Sequence, residues 1–345
     1  MDVLLSLPIV SYFAAPMLTS WSTSLNLLFF YMTWSTLVLS HAPLHIEVAG
    51  TLAIRLVFWL APALLFLAFD TLLPSLAEGL KFYGAASLPL SRRAASPASA
   101  LARQLLLALA NVALLSAAQA AVGAAATYAL GRPPFRTTTT LPLPWQIAKH
   151  VAALYALREV LTYGVHRYVL HGASSSRNPV ASLHARYAHD GGRRPGAAPY
   201  ALALYADHPL PLLIGRLVPT YLPAALLVQP HVLTYLLFTT LTTAEDTLAA
   251  SGYRVVPGIL MGGVARRTAA HYAAGGRGNY GAWGLLDWAC GTSVGGQDVV
   301  GDLQDEAEKH RVRERGGRAA GGAGEAVRDG IDGLRRRQKG GRRKA

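Results

Sequence analysis

The chain has 345 residues, of which 52% are hydrophobic and only 15% charged, against about 25% charged in an ordinary soluble domain. With a mean hydropathy of +0.29 it reads as an integral membrane protein. A disordered chain would lack this much apolar residue, and the lone Cys290 excludes a disulfide scaffold. The net charge of +13 does not point to nucleic acid, because its basic residues sit mostly in short segments between apolar runs and in the C-terminal stretch. That is the distribution of a positive-inside topology signal, and a basic tail beside a membrane meets anionic lipid.

Val3 to Met17 turns apolar at once, without the basic n-region of a cleaved signal peptide, and is expected to be an uncleaved short or interfacial segment. Leu25 to Leu39 is apolar and aromatic, and the His41-Ala-Pro-Leu-His45 stretch breaks it. Leu52 to Leu73 is long enough to span, with Arg55 near its start and Asp70 near its end, where snorkelling lowers their cost. A polar connector follows from Lys81 to Arg103, with Arg92 and Arg93, and then the clearest span, Leu105 to Leu130. Gly131 to Pro144 is a turn segment with four prolines around a threonine run.

From Ile147 to Leu170 the pattern is helical, with Leu154, Leu157, Val160 and Leu161 at helix spacing and Lys149, Arg158 and Glu159 interrupting them. Gly172 to Pro199 is polar, with Arg177, Arg186, Arg193 and Arg194. Leu210 to Thr243 is apolar but carries Pro211, Pro219, Pro223 and Pro230, which suits a re-entrant hairpin or two short spans. Beyond Arg311 the composition is that of a disordered tail. Placing the three Lys/Arg-rich segments (81–103, 172–199 and the tail) in the cytosol gives roughly four spans besides the N-terminal segment. The fold class expected is all-α: a multi-span membrane helical bundle with a cytosolic-side helical histidine cluster.

Six of the eleven histidines carry the functional reading. They are His166 and His171, His184 and His189, His208, and His271, all at the ends of apolar runs or in polar segments assigned to one side. Imidazole is the commonest side-chain ligand for iron, zinc and copper. Both pairs are five residues apart, which on a straight α-helix separates the side chains by roughly 140°. Each pair therefore needs a helix end, a bulge or two metals to serve as ligands. The alternative is that these are ordinary polar residues at a membrane surface.

The residues around these histidines resemble the fatty acid hydroxylase/sterol desaturase superfamily. His166-Arg-Tyr-Val-Leu-His171 matches its first histidine box, and His184-Ala-Arg-Tyr-Ala-His189 its second, with Ala188 in place of the middle histidine. His208-Pro209 resembles the His-Pro step that follows, and Ser251-Gly252-Tyr253 a His-Ser-Gly-Tyr segment, with Ala250 where many members carry histidine. His271 with Asn279-Tyr280-Gly281, Leu286-Asp287-Trp288 and Gly291-Thr292-Ser293 resembles the third box and its sequel, with Ala270 at the middle histidine and Arg266 or Arg267 at the first. The resemblance covers about Lys149 to Asp298, and the N-terminal part looks like that of fungal members.

The resemblance implies a membrane-bound, non-haem diiron oxidoreductase that uses O2 to hydroxylate or desaturate a lipid: a sterol, fatty acyl chain or sphingoid base. It implies two iron ions held by histidine, cytochrome b5 or a reductase as electron donor, and the endoplasmic reticulum with a cytosolic C-terminal tail. The expected metal ligands are His166, His171, His184, His189, His208 and His271. Glu245 and Asp246 are substitutes for the missing histidines, since carboxylate mixed with histidine suits non-haem iron; equally, they cap a helix or face loop water. Asp190 is a further oxygen ligand candidate, and Glu159 a partner for a ligand histidine. Trp283 and Trp288 line a pocket or form an interfacial belt. Arg266 and Arg267 bind phosphate or donor, or act as topology signals. The division expected is N-terminal membrane segments over 1–80, a connector, span and Pro/Thr loop over 81–145, a hydroxylase-like domain over 146–300 and the basic tail over 301–345. The other reading is a metal-poor relative acting as a membrane scaffold or lipid-binding protein.

Overall fold

Apolar runs separated by proline and polar breaks set the helices. The computed structural model describes residues 21–89, 97–172, 178–189, 199–256, 260–296, 298–304 and 308. The expectations for Val3 to Met17, Arg92, Arg93, Arg177, Asp190, Arg193, Arg194 and the tail beyond Arg311 lie outside these residues.

Helix α1 is Trp21–Ser40. It stops at the His41-Ala42 break, and Pro43 opens α2, Pro43–Leu72, which contains a π-helical turn over Leu56–Leu60. Short α3 is Pro74–Leu80, and long α4 is Pro97–Leu130. α5 runs over Pro144–Gly164 and continues as a π turn, Val165–Leu170. α6 is Pro179–Ala188, capped by the Asn178 side chain, which accepts from the Val180 and Ala181 amides. α7 is Pro209–Val228, α8 Val232–Ala250, α9 Met261–Ala273 and α10 Leu285–Ala289. Proline opens α2, α3, α5, α6 and α7, a position where its missing N–H would be unpaired anyway. Inside α7, Pro219 and Pro223 fall in two π turns, Leu217–Tyr221 and Pro223–Val228. The wider turn absorbs a proline that a straight α-helix rejects.

The Pro-rich region is thus a helical hairpin, turned at Gln229 with a left-handed φ of 47°. No strand occurs among the described residues, and two isolated bridges mark the two ends of the bundle. At one end Lys81 pairs with Tyr253, so α2 and α8 finish there. At the other, Arg136 pairs with His231, joining the loop after α4 to the α7–α8 turn. Helices α2, α5 and α8 therefore run one way, and α4 and α7 the other. Helices α2, α5 and α8 thus finish at the same end.

Among the described residues three helices are long and apolar enough to cross a membrane: Pro43–Leu72, Ala98–Leu130 and Pro209–Val228. The crossing expected over Ile147–Leu170 is not among them, because Lys149, Arg158, Glu159 and Arg167 lower the apolarity of α5. Two buried clusters hold the bundle. One centres on Trp59, Ala108, Tyr205 and Leu212, the other on Phe135, Tyr221, Tyr235 and Phe238. The Trp59 indole donates to the Ala201 carbonyl at 3.0 Å, and Phe135 stacks on Tyr235 at 4.2 Å. Facing outward, Phe29 of α1 is 73% exposed and Leu65 of α2 71%, a surface suited to lipid rather than water.

The end that carries the histidines is fastened by one buried charge cluster. Lys81 Nζ lies 2.5 Å from Asp70 Oδ2, and the Tyr253 hydroxyl donates to Asp70 Oδ1 at 2.5 Å. Lys81 is fully buried, and Phe82 N donates to Gly252 O beside it. Tyr253 of the Ser-Gly-Tyr segment therefore ties α8 to α2. Removing one member leaves a buried charge without its counter-ion, which costs about 3–5 kcal/mol. Lys81→Met is expected to lower the thermal midpoint in detergent by that loss of stability, and adding Asp70→Leu to restore most of it. A single variant as stable as the parent would contradict the role.

Candidate metal centre

Five of the six expected histidines meet. Two devices bring each pair together despite the five-residue spacing. His166 and His171 flank the π turn of α5, in which His171 N donates to His166 O at 2.9 Å, an i to i+5 bond. That wider turn stacks two side chains that a straight α-helix would splay. His184 lies in the last turns of α6, and His189 follows its end with non-helical backbone (φ −115°, ψ 16°). His271 comes from α9.

The ring centroid of His171 is 4.9 Å from those of His166 and His184 and 5.0 Å from those of His189 and His271. The other four form a ring around it: His166 to His184 is 5.7 Å, His184 to His189 5.1 Å, His189 to His271 5.0 Å and His271 to His166 4.7 Å. Ligand atoms of His166, His171 and His271 lie within 4.8 Å of one another, and so do those of His171, His184 and His189.

Three of the rings are oriented from outside. His166 Nδ1 lies 3.0 Å from the Tyr280 carbonyl, His271 Nδ1 2.6 Å from the Gly278 carbonyl, and His184 Nδ1 2.6 Å from Asp207 Oδ2. A carbonyl or carboxylate only accepts, so each Nδ1 carries the proton and each Nε2 keeps its lone pair. The Nε2 atoms of His171, His184 and His271 and both ring nitrogens of His189 are buried without a hydrogen-bond partner. Such orphaned groups are rare and costly. Burial first, then the neighbouring imidazoles, hold His171 and His189 far below the ordinary imidazole pKa. Burial pulls His271 down to about 4, against the Gly278 hydrogen bond that raises it. These rings are neutral at pH 7, the form that offers a lone pair to a metal.

The loop from Gly278 to Val294 is what aims His166 and His271. Asp287 accepts from the Tyr280 and Gly281 amides at 2.8 and 2.7 Å and from the Thr292 hydroxyl. Asn279, at φ 52°, donates to the Arg267 and Val294 carbonyls and accepts from Val294 N. Glu159 accepts from the amides of Trp283 and Leu285 at 2.7 and 2.9 Å. It holds this loop rather than a histidine directly. A Cβ at Gly281 would stand 2.8 Å from the Glu159 carboxylate, so a larger third residue of Asn-Tyr-Gly has to push that carboxylate aside.

The remaining candidates are placed elsewhere. His208 caps α7: its Nδ1 accepts from Leu210 N at 3.2 Å, and its ring packs on Tyr187 rather than on the cluster. Arg158 donates to Glu245 at 2.7 Å and to Asp246 at 2.6 Å, Arg216 pairs with the other Asp246 oxygen, and the Trp283 indole donates to Glu245 at 3.0 Å. The two carboxylates thus face guanidinium groups, not histidines. Arg266 and Arg267 both pair with Asp302, and Trp288 is exposed. Asp207 went unread in the sequence, although an acid directly before His208-Pro209 was the signal for it.

A cavity of about 210 Å3 adjoins the cluster. His166, His184 and His271 border it, Arg158, Arg216 and Asp246 line it further along, and Leu204 and Leu212 supply apolar wall. Ala188 and Ala250, two of the positions where the resemblance calls for histidine, also face this space. Ala270 does not: a Cβ on Gly295 would stand only 2.7 Å from its methyl, so backbone is packed against it.

Comparison with known proteins agrees with this geometry. No solved structure matches the chain. Residues 151–292 match the model of the family described as fatty acid hydroxylase, a span that contains all five clustered histidines, most of the loop that aims His166 and His271, and Asp207. Residues 151–292 are thus similar to the fatty acid hydroxylase family, in line with the resemblance read from the histidine boxes.

Proposed function

We propose that the protein is a membrane-bound, iron-dependent oxidoreductase that hydroxylates or desaturates a lipid with O2. The observation that carries this reading is the convergence of buried, neutral imidazoles with unpartnered nitrogens beside a cavity. Bound metal satisfies these lone pairs. All-nitrogen coordination suits iron as well as zinc or copper, and the family resemblance favours iron. His166, His171, His184, His189 and His271 are the ligands, and His208, Glu245 and Asp246 are not.

Bound iron with O2 supplies the oxidising power to remove hydrogen from an unactivated C–H bond. The chain's own residues do the rest. Asp207 and the Gly278 and Tyr280 carbonyls fix ring orientation and raise ligand basicity. The substrate class is a sterol, fatty acyl chain or sphingoid base, reaching the cavity from the bilayer. Hydroxylation of R–H consumes O2, two electrons and two protons and gives R–OH and water, so an electron donor is required. Cytochrome b5 or a reductase fills that role, and the chain's excess of basic residues suits an acidic donor. The endoplasmic reticulum, with the histidine end and the C-terminal tail cytosolic, is the location proposed.

Purified full-length chain with ferrous iron, a donor system and O2 is to be given sterol, fatty acyl and sphingoid lipids, with products read by mass spectrometry. A gain of one oxygen or loss of two hydrogens from one class supports the reading. No product from any class, with iron-free folded protein still binding lipid, replaces it with the scaffold reading.

Two variants test the site itself. Asp207→Asn keeps the shape but loses the carboxylate on His184, and the expected loss of iron affinity is about 10–100-fold. At Gly276 φ is +83°, and a Cβ would stand 2.3 Å from His171 Cε1. Gly276→Ala is expected to displace that ring and abolish iron binding, whereas Gly275→Ala, also at positive φ but facing open space, retains it. Unchanged iron content in Gly276→Ala would refute the assignment of His171.

A further inference from the structure

A second cavity lies at the end of the bundle opposite the histidines, where α2 begins and α4 finishes. Glu47 sits there, roughly 6 Å along α2 from Pro43, and is only 3% exposed. A carboxyl buried among apolar helices is costly and marks a functional position by default. Its Oε1 accepts from the Tyr221 hydroxyl at 2.7 Å. Oε2 has no hydrogen-bond partner, and Glu47 no ion pair, among the described residues. The arginine of α2, Arg55, is engaged elsewhere: it donates to Ser116 and Gln119 of α4 at 2.9 and 2.7 Å.

The cavity that Glu47 borders measures about 450 Å3, a volume typical of small-molecule sites. Leu44, Ala124, Pro133, Pro134 and Phe135 make its wall apolar. Gly123 lets α4 close against the polar pair, since a Cβ there would stand 2.9 Å from Tyr221 Oη and 3.6 Å from Glu47 Oε2. None of the residues lining this cavity borders the one beside the histidines.

The chemistry selects the occupant. Both α2 and α4 are apolar enough to cross a membrane, so what enters between them comes from the bilayer. A hydrocarbon chain alone leaves Oε2 unsatisfied. A hydroxyl donates to a carboxylate and accepts from a carboxylic acid, so it satisfies Glu47 in either protonation state. An ammonium only donates, and serves the ionised form alone. We propose that this cavity binds a lipid alcohol, with its hydroxyl on Glu47 Oε2 and its apolar body between α2, α4 and the 133–135 loop. The site is separate from the metal centre and does not rest on the metal-binding reading.

The test is photolabelling of the full-length chain in detergent with diazirine analogues of a sterol and of a long-chain alkanol, the two sources of such a hydroxyl. Label is expected from at least one of them on peptides covering 42–47 and 124–137. The parent hydrocarbon, lacking the hydroxyl, is expected to compete about tenfold less well than the alcohol. Glu47→Gln, whose amide both donates and accepts, keeps the label, and Glu47→Leu loses it about tenfold. Ala124→Trp lies on an exposed face of α4, fills the cavity without entering the core and abolishes the label, which keeps the proposal testable if Glu47→Leu does not fold. Label confined to peptides bordering the histidine cavity, equal competition by the hydrocarbon, preference for a long-chain amine over the alcohol, or label unchanged in Ala124→Trp would each overturn the proposal and leave the metal-binding reading standing.

Discussion

Five imidazole rings crowded together, four of them with buried, unpartnered nitrogens, are the constraint around which the histidine end is built. Neutral rings with buried, unpartnered nitrogens gain nothing from proximity, yet the chain forces it with several independent devices. A π turn replaces the last α-helical turn of α5. A break at the end of α6 swings His189 inward. A left-handed glycine at 276 makes room for the His171 ring, and three acceptors outside the cluster fix which nitrogen of His166, His184 and His271 carries the proton. Structural histidines need none of this. Surface histidines would be solvated, and core histidines would have both nitrogens paired.

The loop after α9 shows how the cost of this arrangement is met. Its amides are not left to water. Asp287 takes two, Glu159 takes two more, and the Asn279 side chain bonds backbone on both sides. The carbonyls of Gly278 and Tyr280 are thereby free to face the histidines. Motif residues that attract attention as catalytic candidates thus act one step back, by positioning the groups that position the histidines. Glu159 is the clearest case: it lies two turns before His166, and it reaches that ring only through the loop it holds.

Much of this was legible in the sequence, and the reasons for what was not are local. Apolar runs and prolines gave the helices of the bundle, and the four prolines between 211 and 230 announced a hairpin. The five-residue histidine spacing announced a bulge or a helix end, and the structure uses one of each. His208 misled because a histidine before proline satisfies two grammars, metal ligand and helix cap, and only tertiary distance separates them. Glu245 and Asp246 misled because sequence shows a carboxylate but not its counter-ion: the guanidinium groups that engage them lie 87 residues away for Arg158 and 30 for Arg216. Asp207 was missed for the converse reason, since its histidine is 23 residues distant.

The arginine–carboxylate network also explains why those acids stay apart from the histidine cluster. Arg158 holds Glu245 with one arm and Asp246 with the other, and Arg216 takes the remaining oxygen of Asp246. Moving either acid to a cation would strand a buried guanidinium, and an uncompensated buried charge costs several kcal/mol. Two guanidinium groups against two carboxylates leave no net charge in this part of the bundle. The cavity therefore keeps polar groups at one end without a field that would demand an anionic ligand, while its apolar wall and its histidines remain as its other features.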